Sequence, residues 1–217
     1  MDFETARFNM VEQQIRPWEV LDQNVLDACL AVPREAFAPK HYQNLAYSDT
    51  MVEIGHGQFM MAPKIEARLL QALDLQASDR ILEIGTGTGY LAALLATLGA
   101  HVTSVDLFDD FTARANENLR QNGIKNVKLH VGDALDGWSY ATPYDVIAVT
   151  GSSPARRKAI EEHLSIGGRM FIIIGAPPVM EAALITRVDE DTWSDEILFE
   201  TELAPLIGAE PEPEFHF

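Results

Sequence analysis

The sequence predicts a doubly wound, mostly parallel α/β sheet with an N-terminal helical appendage and a C-terminal antiparallel hairpin. Three observations predict it. From Arg80 to Ile174, short apolar runs alternate with helical patterns, as βαβ units do. The first of those runs, Ile81, Leu82 and Ile84, passes directly into Gly85-Thr-Gly-Thr-Gly89 and then into the apolar stretch Tyr90–Leu98. Strand, glycine turn and helix in that order form a nucleotide-binding element, because glycine lets the backbone approach a ligand and the helix start offers unpaired N–H groups. Beyond residue 180 the pattern changes, and Ala182–Val188 and Ile197–Leu203 read as two strands joined by the polar connection Asp189–Glu196.

Residues 1–75 form the appendage and the acceptor-side loop in this reading, residues 76–210 the ligand-binding domain, and residues 211–217 an acidic tail. Asp2–Ile15 has helical spacing and is interrupted by Pro17; Val20–Val32 reads as a second helix, capped by Asp22 and closed off by Pro33. Phe37, Tyr42 and Tyr47 are expected to pack this part onto the sheet. Ile54-Gly-His-Gly-Gln58 reads as a flexible glycine-rich loop. Ala62–Leu73 follows as an amphipathic helix, with Pro63 in its first turn and Ile65, Leu69 and Leu73 on one face. The remaining strands are expected at His101–Asp106, Val127–Val131, Asp145–Val149 and Arg169–Ile174. Helices are expected at Asp109–Gln121, stopped by Asn122-Gly123, and at Arg156–Leu164. Thr150–Pro154 reads as a polar loop at a strand's carboxyl end, where ligands of such sheets bind.

The bulk numbers narrow the function. The chain has 217 residues, 47% of them hydrophobic, and a formal net charge of −17. That charge argues against nucleic acid, whose binding is driven by phosphate neutralisation, and against an anionic membrane surface. No apolar run approaches the ~18 residues needed to span a bilayer. The single cysteine, Cys29, lies in an apolar helical stretch and reads as a core residue; with one thiol and no signal peptide, a cytoplasmic location is expected. The six histidines and one cysteine show no metal-ligand spacing.

The glycine loop narrows the ligand. Its spacing is G-x-G-x-G, and Tyr90 stands where a dinucleotide fingerprint needs glycine or alanine. No lysine followed by serine or threonine marks a P-loop. Asp106 ends the second strand 21 positions after Gly85, near the ~20 expected of a carboxylate that takes ribose hydroxyls. Glu83 adds negative charge beside the loop, and Asp133 sits in a turn where it can meet an adenine amino group. An acidic glycine loop without a phosphate anchor suits a cationic nucleoside, and S-adenosylmethionine is that molecule. The expected ligand-facing set is Glu83, Gly85, Thr86, Gly87, Gly89, Asp106, Leu107, Asp133, Ala134 and Thr150.

Val11-Glu-Gln-Gln-Ile15, Val32-Pro-Arg-Glu-Ala-Phe37, Leu45-Ala-Tyr47 and Ile54-Gly-His-Gly-Gln58 precede the Leu82-Glu-Ile-Gly-Thr-Gly-Thr-Gly-Tyr90 loop in that order. In these motifs the chain resembles the protein-L-isoaspartate O-methyltransferase family, over roughly residues 7–175. The resemblance implies a Rossmann-like, S-adenosylmethionine-dependent methyltransferase fold. It also implies methyl transfer to the α-carboxylate of isoaspartyl residues in damaged proteins, whose ester then closes to a succinimide. One loop departs from the family, which typically reads Gln-Thr-Ile-Ser where this chain has Gln58-Phe59-Met60-Met61. Met61 thus occupies the position of the family's functional serine and Phe59 that of its threonine, while Ile207 in Ala204-Pro-Leu-Ile207 stands where a family threonine is expected. His56, Gln58 and Lys64 are the candidate replacement donors. Phe59-Met60-Met61 also suits an apolar small-molecule acceptor, or a chain that binds S-adenosylmethionine as a regulatory module without catalysis.

Overall fold

The computed structural model describes residues 2–209. The expected acidic tail, residues 211–217, lies outside them. Helix α1 (Phe3–Met10) is capped by the Asp2 carboxylate, which accepts from the Glu4 and Thr5 amides; it continues through a widened turn, Val11–Ile15, into a tight turn at Arg16–Trp18 that takes Pro17. Helix α2 (Gln23–Ala31) starts at Asp22, whose carboxylate accepts from the Asn24 amide at 2.8 Å. Short tight turns at Arg34–Ala36 and Lys40–Leu45 follow.

The glycine-rich stretch is not an unstructured loop. It folds as a hairpin of β1 (Val52–Gly55) and β2 (Gln58–Met60), with Val52 opposite Met60 and Glu53 opposite Phe59. Its turn is His56-Gly57, both at positive φ, +52° and +68°. The sequence concealed the strands because each is too short to show alternation. Helix α3 (Pro63–Leu73) follows as expected, with Ile65, Leu69 and Leu73 buried.

The main sheet contains β3 (Arg80–Ile84), β4 (His101–Asp106), β5 (Val127–Val131), β6 (Tyr144–Ser153), β7 (Leu164–Ala176), β8 (Val179–Asp189) and β9 (Thr192–Thr201), in the spatial order β5-β4-β3-β6-β7-β8-β9. The pairs from β5 to β7 are parallel, and β7–β8 and β8–β9 are antiparallel. Helices α4 (Tyr90–Leu98) and α5 (Asp109–Gln121) connect the first three strands.

Three expectations in this half are corrected. Thr150–Ser153 continues β6 instead of forming a loop, and Ser152 and Ser153 are fully buried opposite Ile173 and Ile174. The polar groups of Ser152 are satisfied from a distant segment: it donates its amide to Ala204 O and its hydroxyl to Leu203 O, and its carbonyl accepts from the Leu206 amide, whereas the Ser153 hydroxyl donates to Ala155 O and accepts from Arg157. The helix expected over Arg156–Leu164 contracts to the single turn α6 (Lys158–Glu161), since β7 already begins at Leu164. The connection expected over Asp189–Glu196 shrinks to two residues, because Thr192–Glu196 pairs with β8.

One core joins the N-terminal helices to the sheet. Met10, Ile15, Leu26 and Phe37 are buried together with Leu69, Leu73, Leu94 and Phe171. Cys29 belongs to it, and burial pushes its thiol up to about 12, as befits an unreactive packing residue.

Candidate functional site

The strand order reverses between β3 and β6, and there an open cleft lies over the carboxyl ends of the parallel strands. Its floor is the turn after β3. Gly85 has φ +98°, and a methyl group built on it would overlap the Thr150 hydroxyl. The position therefore admits only glycine. Thr150 is placed by the β6 backbone and lies within hydrogen-bonding distance of the carbonyls of Ile84 (2.9 Å) and Gly85 (3.0 Å), tying the two central strands at the turn.

Asp106 ends β4 beside this turn. Its carboxylate accepts from the Gly87 amide at 2.8 Å and the Phe108 amide at 3.0 Å. Two backbone donors fix the carboxylate in the cleft wall and leave further lone pairs for a ligand. Leu107 is exposed on the rim, and Asp133 and Ala134 line the far end after β5, where the Asp133 carboxylate caps the Leu135 amide at 2.9 Å.

Beneath the turn runs a buried polar chain. Ser104, in register with Glu83 on the neighbouring strand, donates to Glu83 Oε2 and accepts from the Thr86 hydroxyl at 2.6 Å. Glu83 itself is fully buried and lines the cleft; its Oε1 has no hydrogen-bond partner among the described residues. Burial, opposed by the Ser104 hydrogen bond, raises its carboxyl to about 8. Four carboxyl residues line the cleft, Glu66, Glu83, Asp106 and Asp133, and among the described residues none of its lining side chains is lysine, arginine or histidine.

The opposite end of the cleft is built by the β1–β2 hairpin and the segment after β9. Gln58, Phe59, Met60 and Met61 face it together with Met51 and Ile207. Met61 is buried, whereas Phe59 is 43% exposed. Two residues that the sequence reading passed over hold this end in place. The guanidinium of Arg34, wholly buried, pairs with Glu66 on α3, donates to Met61 O at 2.6 Å and stacks on the Tyr90 ring at 4.6 Å. Burial raises the Glu66 carboxyl, against the opposing pull of Arg34. A signal was present: Glu66 shares its helix face with Ala62, Leu70 and Leu73, all buried, and a carboxylate on an apolar stripe demands a partner.

The structure brings together Gln58, Met61, Glu83, Gly85, Thr86, Gly87, Asp106, Leu107, Asp133, Ala134 and Thr150. It leaves three expected residues outside the cleft lining. Gly89 is the N-cap of α4 at φ +84° and packs against Ala115. His56 stacks on Phe108, with ring centroids 4.0 Å apart, and its Nε2 lies 3.1 Å from Asp110 Oδ1 on α5. Lys64 binds the Asp49 carboxylate at 2.7 Å and lies over the Trp18 ring.

The family model of protein-L-isoaspartate(D-aspartate) O-methyltransferase matches residues 6–210. The chain belongs to that family. It is 38% identical to protein-L-isoaspartate O-methyltransferase 1 of Rhodopseudomonas palustris over 218 aligned residues, covering 97% of this chain and 89% of the relative. With the protein-L-isoaspartate O-methyltransferase of Methanoculleus marisnigri it shares 42% identity over 169 residues, 78% of this chain and 77% of the other. The fold matches that of a Plasmodium falciparum chain assigned to the same enzyme class and solved with S-adenosyl-L-homocysteine: TM-score 0.78, 20% identity, 95% of this chain and 98% of that one. Phe59, Met61 and Ile207 all line one end of the cleft.

Proposed function

We propose that this chain is an S-adenosylmethionine-dependent carboxyl O-methyltransferase that acts on isoaspartyl residues of proteins and peptides. Family membership supports the reading, and one observation carries it: a glycine-floored cleft lined by four carboxyl residues and by no basic side chain among the described residues. Such a site suits a cationic nucleoside and opposes a phosphorylated one. The residues fit that ligand. Gly85 cannot carry a side chain, Glu83 Oε1 is an orphaned buried acceptor, and the Asp106 carboxylate is held by two amides.

Asp106 takes the ribose hydroxyls, Asp133 and Ala134 flank the base, and Gly85, Thr86, Gly87 and Thr150 form the floor. Glu83 faces the methionine end. When bound, S-adenosylmethionine supplies a methyl group on a sulfonium centre. The acceptor carboxylate is already ionised at neutral pH, so no side chain here has to remove a proton. The chain's work is alignment and exclusion of water. Gln58 offers its amide to the acceptor, the Arg34–Met61 hydrogen bond sets the backbone of this segment, and Phe59 and Met61 dry it. Cytoplasmic action on damaged proteins is part of the reading, supported by a free buried thiol, Cys29. Among the described residues no helix is long and apolar enough to cross a membrane.

The test is methyl transfer from labelled S-adenosylmethionine to an isoaspartyl peptide, with the matching aspartyl peptide as control. Transfer selective for the isoaspartyl form is expected. A second reading, an apolar small carboxylic acid as acceptor, is favoured by the exposure of Met51, Phe59 and Ile207 at this end. Transfer to such an acid and to neither peptide would establish it in place of the first.

A further inference from the structure

Glu83 is a carboxyl group that nothing in the described chain compensates. Its side chain is fully buried, Oε2 takes one hydrogen bond from Ser104, and Oε1 has none. The groups around it are of its own sign or neutral. Asp106 on β4 and Glu66 on α3 both raise its carboxyl. Arg34 pairs with Glu66, and α4 contributes the Tyr90 phenol at the cleft. On β6 the residue in register is Ala148. A buried carboxylate without a cation is costly, and proteins relieve the cost by keeping the proton.

We propose that Glu83 is a neutral acid in the free chain and surrenders its proton when the cationic methionine end of S-adenosylmethionine enters the cleft, so that ligand binding expels one proton to solvent. This rests on the cofactor reading above. The balance is simple: the O–H bond at Glu83 breaks, the proton leaves to buffer, and the carboxylate left behind pairs with the arriving positive charge. The pocket is thus uncharged at this point until its ligand is present, and small inorganic cations meet no preformed anion there. Lowering the pH makes binding harder, because the proton must be removed before the pair can form. Below about 8, the value for Glu83, Kd rises about tenfold for each pH unit of acidification.

The experiment is calorimetric titration of the whole protein with S-adenosylmethionine at about pH 6.5, where the ligand's own α-amino group is charged. It is run in two buffers of different ionisation enthalpy. The heats should differ by about one buffer ionisation per ligand bound in the wild type, and should coincide in Glu83→Gln. Binding with identical heats in the wild type would overturn the proposal. No binding at millimolar ligand would overturn the cofactor reading itself, so the two failures are distinct. A second measurement needs no ligand. A carboxyl whose folded value is raised stabilises the fold fully below its unfolded value of 4.5 and loses that contribution as pH rises through about 8. The melting temperature of Glu83→Gln should therefore gain on the wild type between about pH 6 and 9; a constant difference across that range would overturn the assignment of the proton to Glu83.

Discussion

The two ends of the cleft are built on different terms. At the nucleoside end, position is set by backbone: Gly85 at a φ closed to other residues, amides holding Asp106, and a carbonyl-bound Thr150. Little can change there without losing the turn. At the proposed acceptor end, position is set by side chains on a short hairpin and by a segment after the last sheet strand, and Phe59, Met61 and Ile207 line the cleft there. The contrast teaches that one end is fixed by backbone geometry and the other by side-chain chemistry, so substitutions at the two ends act on different properties.

Substitutions can break this comparison. Gly85→Ala has the largest expected effect: the overlap with Thr150 and the positive φ should weaken S-adenosylmethionine binding by more than about 100-fold, or prevent folding, as read by calorimetry with circular dichroism as control. Asp106→Asn follows. It sets its NH2 against one of the two amides, Gly87 or Phe108, and removes a charged acceptor worth about 1.5–3 kcal/mol, so a loss of about 10- to 150-fold in affinity is expected in the same assay.

At the other end, the pair Phe59→Thr and Met61→Ser should raise kcat/KM for an isoaspartyl peptide by about tenfold, through one regained hydrogen bond to the carboxylate, with the donor Kd unchanged. An altered donor Kd would mean that the two ends are not independent. The smallest effects are expected for His56→Ala and Lys64→Ala, both outside the cleft lining and both partnered elsewhere: kcat/KM within about threefold of wild type. A large loss in either would return that residue to the acceptor site.

The same contrast governs what the sequence disclosed. Much of the nucleoside end is local: strand, glycine turn, helix and the acid closing the next strand all lie between Arg80 and Asp106, and their elements fall where periodicity puts them. The acceptor end is assembled from residues far apart. Nothing near Arg34 announces that it meets Glu66 and Met61, and nothing near Ser152 announces that Leu203–Leu206 will satisfy it, so Thr150–Ser153 looked like a loop. His56 and Lys64 were attractive for their chemistry, but their partners, Asp110 and Asp49, come from tertiary packing.

The strap of residues 203–207 along Ser152 has a consequence for synthesis. Every strand of the sheet precedes it in the chain, yet Leu203–Ile207 forms a wall of the cleft. A ribosome-bound chain that has exposed all of the sheet still carries an open trough. It acquires a complete acceptor end only once this strap has left the exit tunnel, so the ability to seat an acceptor marks a chain whose sheet is already in place.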